Sequence, residues 1–279
     1  MNATRIAVVG HVEWAQFAVV GSLPQPGEIL HARQSWEEAA GGGAVAAVQI
    51  AKLAGEADFF TALADDEMGR ASAGQLSARS VRVHAACREA PQRRAFVFLD
   101  DAGERTITVL GERMTPRGSD PLPWAELGAC DAVYFTGGDA DALRAARQAR
   151  VLVATPRAAA TLLEAGVQLD VLVNSGNDPG EALSSDRLNL PPRHVVSTLG
   201  AHGGRWIGAE GREGTWKAAR LPGPVADAYG CGDSFAAGLT YALGHGESLE
   251  AAVELAARCG AACLTGRGPY AGQLQLAQA

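Results

Sequence analysis

The sequence predicts an α/β fold, a parallel sheet covered by helices on both faces in a three-layer α/β/α sandwich, with a small second β-sheet beside it. Three observations predict it. Short apolar runs alternate with Ala-rich segments of helical spacing along most of the 279 residues, the pattern of strands joined by right-handed helical crossovers. Glycine is enriched, 34 residues or about 12% against a typical ~7%, and it clusters where a strand-like run meets a helix-like run. Two stretches alternate apolar and polar residues instead, as strands with one solvated face do.

Taken in order, Ile6-Ala7-Val8-Val9-Gly10 reads as a buried central strand ended by glycine. After Gly41-Gly42-Gly43, the segment from Ala44 to Leu53 carries Val45, Val48, Ile50 and Leu53 at helical spacing and breaks at Gly55. Phe59 to Leu63 follows as the next strand, which completes a βαβ unit. Further strands are predicted at Ala132 to Phe135, Val151 to Val153, Val171 to Val173 and Val195 to Thr198. Glu28 to Trp36 and Arg94 to Val109 are the alternating stretches, read as antiparallel strands with a turn at Asp100-Asp101-Ala102-Gly103. They place a lid, drawn from about 12–38 and 92–112, beside a single domain spanning 1–279. A lid with exposed edges and an apolar face also predicts a homodimer formed by pairing two lids.

Charge and cysteine usage narrow the function classes. Twenty-four Lys and Arg against 31 Asp and Glu give a net charge of −7, which argues against nucleic acid or an anionic membrane as partner. No apolar run reaches the ~18 residues of a spanning helix, and the charged start of the chain is unlike a signal peptide. Cys87, Cys130, Cys231, Cys259 and Cys263 are odd in number and lack C-x-x-C spacing. They read as reduced thiols of a cytoplasmic protein.

The chemistry is concentrated in Asp227-Ala228-Tyr229-Gly230-Cys231-Gly232-Asp233-Ser234-Phe235, followed by an Ala-rich helical run from Ala236 to Leu243. Two glycines let several amides point one way at a helix start, where the dipole adds partial positive charge and makes an anion hole. A carboxylate at its rim would repel bound phosphates unless it had a separate task, such as accepting the proton of an attacking hydroxyl. A helix cap is the other reading of Asp233.

The whole chain, from Gly10 to about Gly268, resembles the ribokinase-like sugar kinases of the PfkB family. Asp227 to Phe235 is similar to the family's signature D-T-x-G-A-G-D-x-F, with Ala228 for Thr and Cys231 for the middle Ala. Gly41-Gly42 with the helix after them, and Ala62 to Gly69, resemble its N-terminal signature; Thr198-Leu199-Gly200-Ala201-His202-Gly203 resembles its T-L-G-x-x-G segment. The resemblance implies ATP-dependent phosphorylation of a hydroxyl of a sugar or related polyol. It implies Asp233 as general base, with Gly230, Cys231 and Gly232 giving amides to the transferring phosphoryl. Thr198, Gly200, Gly203 and Asn174 would lie along ATP, Mg2+ would bridge the phosphates largely through water, and Asp227 would hold a monovalent cation (K+) or fix the loop. Gly41, Gly42, Glu13 and Asp233 would face the acceptor.

The match weakens at the acceptor end. The family's sugar-binding Asn falls on Val45, with Ala46 beside it, and its Asp falls on Ala15, leaving Glu13 as the nearest acid. Buried sugar hydroxyls without partners are costly, so ribose itself is disfavoured. Glu13, His11 and Trp14 are the replacements, Trp14 stacking on a ring or base or packing in the lid. Asn174-Ser175-Gly176-Asn177-Asp178 puts Asn where the family's N-x-x-E has Glu, and leaves Asn177 or Asp178 to take its place. Arg93, Arg94 and Arg105 flank the lid strands, as a fork for a sugar phosphate or, the preferred reading, as a solvated face. Asp65-Asp66 is read as shaping the loop before Met68-Gly69. A nucleoside kinase of the same fold, and a kinase-like protein that senses a ligand without turnover, stand as alternatives.

Overall fold

In the computed structural model, which describes residues 4–101, 105–208 and 210–276, the chain runs from β1 (Ile6–Val9) out into β2 (Glu13–Val19) and β3 (Gln34–Ala40). It returns through α1 (Gly42–Ala54), β4 (Ala57–Ala64), α2 (Glu67–Ser77) and β5 (Val81–Arg88), then leaves again for β6 (Arg94–Leu99) and β7 (Arg105–Leu110). There follow β8 (Ala132–Phe135), α3 (Ala140–Ala146), β9 (Val151–Ala154), α4 (Ala159–Ala165), β10 (Val171–Ser175) and β11 (His194–Thr198). The last elements are β12 (Gly204–Gly208), β13 (Glu213–Trp216), α5 (Cys231–Gly244) and α6 (Leu249–Cys263).

The main sheet has the order β13-β12-β11-β10-β9-β8-β1-β4-β5. From β11 to β5 every pairing is parallel, and β12 and β13 add an antiparallel edge. β1 shows why its residues form a buried strand. Ile6 and Val8 pack into one core with Val48, Leu239 and Val253 of α1, α5 and α6. Ala7 and Val9 pack into the other, with Leu143 of α3 and Leu162 of α4. Successive side chains point to opposite faces, and both faces are covered, so the strand is apolar throughout.

The second sheet has the order β3-β2-β6-β7. Its outer pairs, β2 with β3 and β6 with β7, are antiparallel as expected, but β2 and β6 pair in parallel. The reason lies in the main sheet. β2 follows β1 and β6 follows β5, both leave the carboxyl edge, and so both start outward in the same direction. The strand expected over Glu28 to Trp36 begins only at Gln34, which pairs with Val19, the last residue of β2. Residues 28–33 lie beyond the end of β2, exposed and with no strand opposite them to form a ladder. Of the turn expected at 100–103, Ala102 and Gly103 lie outside the described residues.

Three strands escaped the sequence reading. β5 interleaves Arg82, His84 and Arg88 with its small residues, and the buried Asp58 of β4 accepts from His84 at 2.9 Å. β12 is bounded by glycines for lack of room: a Cβ on Gly204 would stand 2.5 Å from the Ser197 carbonyl oxygen. Such glycines dilute the strand signal. α1 starts at Gly42, two residues earlier than its apolar spacing indicates, with Gly41 at φ 88°. Among the described residues no helix is long and apolar enough to cross a membrane.

Candidate active site

Because the parallel strands share one direction, their carboxyl ends share one edge, where ligands of open α/β sheets bind. That edge gathers Gly10 to Glu13 after β1, Thr136 after β8, Thr155 after β9, 174–178 at the end of β10, and 198–203 at the end of β11. The amino end of α5 meets them there. Its cap, Gly230, has φ 80°, and a Cβ on it would come 2.8 Å from Cγ1 of Val45. The first helical bond of α5 runs from the Ser234 amide to the Gly230 carbonyl at 2.9 Å. The amides of Cys231, Gly232 and Asp233 precede it, and a Cβ added to Gly232 would meet nothing within 4 Å. These donors form an open cradle for an anion.

The loop before the cradle is clamped from three sides. Asp227 is 1% exposed, and its two carboxylate oxygens accept from the amides of Tyr229 at 2.8 Å and Gly268 at 2.9 Å. These are the contacts of a loop clamp. Tyr229 Oη accepts from the Gly41 amide at 3.1 Å, and its ring stands edge-on to Phe17 of β2, centroids 5.2 Å apart. Arg105 of β7 donates to the Ala228 carbonyl at 2.9 Å. The sequence reading passed over Tyr229, although it sits inside the Asp227 to Phe235 run and ties the two Gly-rich segments and the lid together.

Asp233 lies in the first turn of α5 and is only partly accessible. Its carboxylate lies over Gly42, where a Cβ would stand 2.7 Å from Oδ1 and 3.3 Å from Thr136 Oγ1. Glycine at 42 is required by this approach. No α5 amide is bonded to the Asp233 carboxylate among the described contacts, so it is not the helix cap. Burial, and next the negative charge of Glu181, push the Asp233 carboxyl up to about 6, against the opposing charges of Arg105 and Arg157. A base with that affinity is ionised at neutral pH yet accepts a proton readily. The acid limb of kcat/KM in the free enzyme is therefore expected near pH 6, about two units above an ordinary aspartate. Glu181→Gln should move that limb toward lower pH, and a pH-rate profile that leaves it in place would remove Glu181 from the site's electrostatics.

Glu181 is the second residue the sequence reading missed. Asp178, one of the two candidates for the family's Glu, is engaged elsewhere: its carboxylate caps a short turn through the Gly180 amide at 2.8 Å and pairs with Arg157. Asn177 is exposed. Glu181 accepts from the Ser175 amide at 2.7 Å and from Arg157 Nε at 2.9 Å, and its charge acts directly on Asp233. The signal was present as Asp178-Pro179-Gly180-Glu181, an acid three residues after a capping residue. Nearby, Asn174 pairs in register with Ser197, and its buried Oδ1 has no protein partner. Thr198 donates to the Asn174 carbonyl at 3.4 Å, and Gly200 and Gly203 take φ 58° and 81° in the loop that follows.

On the opposite side, Glu13 is 7% exposed and sits against Gly41, whose Cβ would be 3.2 Å from Glu13 Cγ. Arg93 Nε pairs with its Oε1 at 2.7 Å, and His11 Nε2 is 3.6 Å from the same atom. Burial would raise the Glu13 carboxyl, but the hydrogen bond and charge of His11 and the Arg93 guanidinium outweigh it and hold the group below its usual range. His11, 5% exposed, is pushed down by burial and by the charges of Arg113 and Arg93, so it is neutral at pH 7. Arg93 is thus not on a solvated face. Trp14 donates to Glu37 within the lid at 2.9 Å, the packing alternative of the two readings, and Val45 fills the space under Gly230. Asp66 caps α2 through the Gly69 amide at 2.8 Å and accepts from Gln92, as a loop-shaping residue does. A surface concavity of about 690 Å³ lies elsewhere, at Trp206, Arg212 and Leu249, away from this convergence of charges.

Compared with known proteins, the chain matches the pfkB family carbohydrate kinases over residues 3–275. No curated protein sequence matches it significantly. Among solved structures it is similar to the ribokinase of Thermotoga maritima, with 20% identity, a TM-score of 0.80, and coverage of 98% of this chain and 96% of that one. The ribokinase of Arabidopsis thaliana complexed with ribose and ATP gives 20% identity, a TM-score of 0.78, and 98% and 96% coverage. The adenosine kinase of Sinorhizobium meliloti gives 18%, 0.77, and 96% of each chain. At these identities the structural likeness speaks for the fold.

Proposed function

Since the chain belongs to the pfkB family of carbohydrate kinases, we propose that it transfers the terminal phosphoryl group of ATP to a hydroxyl of a sugar or related polyol. The observation that carries this reading is the Asp233 carboxylate, tuned to about 6 and set against Gly42, at the mouth of the free amides of α5. The acceptor hydroxyl lies between Gly41-Gly42 and Asp233. As its oxygen attacks the γ-phosphorus its proton passes to the Asp233 carboxylate, the bond between that phosphorus and the bridging oxygen breaks, and ADP departs. The amides of Cys231 and Gly232 hold the charge on the transferring group. Asn174, Thr198, Gly200 and Gly203 line the nucleotide, the free Oδ1 of Asn174 being an unmet acceptor there.

Among the described residues no three His, Cys, Asp or Glu side chains converge to cage a metal ion. One well-placed carboxylate does suit magnesium, which keeps its waters and binds through one or two carboxylates and the nucleotide phosphates. Glu181 would meet such an ion through its bound waters, since its two oxygens already accept from Arg157 and the Ser175 amide, and the ion would supply neutralisation of phosphate charge. The oxygens of Asp227 are each taken by an amide, and no step is derived through a monovalent cation there.

A sugar acceptor is preferred to a nucleoside because Trp14 and Val45, the two residues that suggested a base, are both occupied in packing. Turnover is preferred to sensing because the base and its cradle are intact. The test is ADP release with ATP and Mg2+ across neutral sugars, polyols, sugar acids, sugar phosphates and nucleosides. Acceptor-dependent ADP is expected. Ligand-induced thermal stabilisation with no ADP from any acceptor would replace the kinase with a sensor.

A further inference from the structure

Four arginines lie around Asp233 and Glu13, and they are not equally matched. Arg157 is paired with both Asp178 and Glu181, and Arg93 with Glu13. Among the described residues Arg113 and Arg105 have no carboxylate at ion-pair distance. Arg105 instead donates to the Ala228 carbonyl, and Arg113 donates to the Arg157 carbonyl at 3.4 Å. On the acceptor side, then, Glu13 is taken by Arg93, and the charge of Arg105 acts on both Asp227 and Asp233. Among the described residues Arg113 is left without an ion pair of its own, in a protein whose net charge is −7.

Arg113 is the one in question. Its side chain keeps access to solvent, so a ligand can reach it. Yet partial desolvation by the surrounding protein, and then the like charge of Arg93, press its guanidinium below the ordinary value, with Arg157 adding to the repulsion. Crowding cations is unfavourable unless a counter-charge arrives. A second polar group is also unmet. His11 is 5% exposed, and its Nδ1 has no protein partner. With Nε2 turned to the Glu13 carboxylate, Nδ1 of the neutral ring is an acceptor that suits a hydroxyl of the ligand, and Gly137 stands close beside it, where a Cβ would lie 3.9 Å from Nδ1 and 3.0 Å from Thr115, two residues beyond Arg113. A neutral sugar offers hydroxyls to Glu13 and Asp233 but no counter-charge to Arg113.

We propose that the acceptor is a hydroxylated anion, a sugar phosphate or a sugar acid, whose anionic group is held by Arg113 beside the Arg93–Glu13 pair while its free hydroxyl meets Asp233. This rests on the kinase reading above and names the substrate class for the same site. Arg113 then fixes which hydroxyl reaches the base, because a guanidinium recognises phosphate and carboxylate alike through paired N–H donors. The lost Asn and Asp of the sugar-binding pattern are compensated by charge.

The test separates this inference from the kinase reading by measuring binding apart from turnover. D-Fructose, D-fructose 6-phosphate and D-gluconate are used as probes, with a non-hydrolysable ATP analogue and Mg2+ present so that the α5 amides are already occupied. Thermal stabilisation of the wild type by fructose 6-phosphate or gluconate, at concentrations where fructose gives none, is expected. Arg113→Gln should weaken that binding at least tenfold, and Arg113→Lys should recover part of it. The phosphate and carboxylate arms show which anion is meant. With ATP in place of the analogue, Arg113→Gln should act mainly on KM for the anionic acceptor, by a larger factor than for any neutral one. Stabilisation by fructose alone, by none of the probes, or equally in wild type and Arg113→Gln overturns the inference. Absence of ADP alongside Arg113-dependent binding sinks the kinase reading and leaves the anion site standing.

Discussion

Asp233→Asn is expected to lower kcat by about 10² to 10⁴-fold, the usual worth of a general base, while the protein stays folded. Asparagine keeps the size and one acceptor oxygen but takes no proton from an alcohol. The fold should not suffer, because the charged carboxylate is itself a burden there: burial and Glu181 raise its pKa to about 6. The sign follows from linkage. An acid whose folded pKa lies above its unfolded value destabilises the fold once it ionises, so the penalty is complete above about pH 6 and disappears as pH falls toward the unfolded value near 4. The variant should therefore melt at or above the wild-type temperature at pH 7, and the difference should vanish by about pH 4. Parallel melts and steady-state rates decide it. A variant that keeps kcat within a few-fold of wild type removes Asp233 from the chemistry, and one that melts well below wild type means its carboxylate holds the loop together.

Gly230→Ala is expected to damage both activity and stability. The residue has φ 80°, a conformation that costs an L-residue about 1–2 kcal/mol, and the new methyl would lie 2.8 Å from Val45 Cγ1. For a chain of this size each kcal/mol moves the melting temperature by about 2–4 °C, so a fall of several degrees is anticipated. The rate should drop more steeply than the stability alone explains, because turning Gly230 re-aims the amides of Cys231 and Gly232, and misdirected donors lose about 10² or more in rate. Adding Val45→Ala removes the overlap but not the backbone cost. The double variant should recover part of the stability, and a non-additive cycle would show that the two positions touch. If Gly230→Ala melts and turns over like wild type, the left-handed cap is not what shapes the cradle.

Other parts of the site act through position. Tyr229 links the Gly41 amide, Phe17 of the lid and the cradle loop through packed contacts. Arg105 makes a second link, from β7 to the Ala228 carbonyl. The small sheet is therefore joined to the loop before α5 through one inner strand, β2, and one outer strand, β7.

Much of this was legible in the residues. Local patterns found the central strands because both faces of β1, β4, β8 and β9 are buried and an unbroken apolar run results. The turn chemistry of Gly230-Cys231-Gly232-Asp233 announced an anion cradle with an acid beside it, because glycine spacing and a helix start are properties of consecutive residues. The run of parallel strands then fixed the edge on which all of this stands. What consecutive residues could not announce were pairings between distant segments. β2 and β6, 80 residues apart at Glu13 and Arg93, pair in parallel because both leave the same edge of the sheet. Arg93 looked like a solvated lid residue until that pairing laid it on Glu13. Glu181 reaches Asp233 only because β10 ends and α5 begins at the same edge. Whether Asp178 or Glu181 faces the base was decided by one short turn that hands Asp178 to Arg157. Side-chain identity is written locally, but charge matching is a sum over neighbours, and only the folded chain brings the neighbours together.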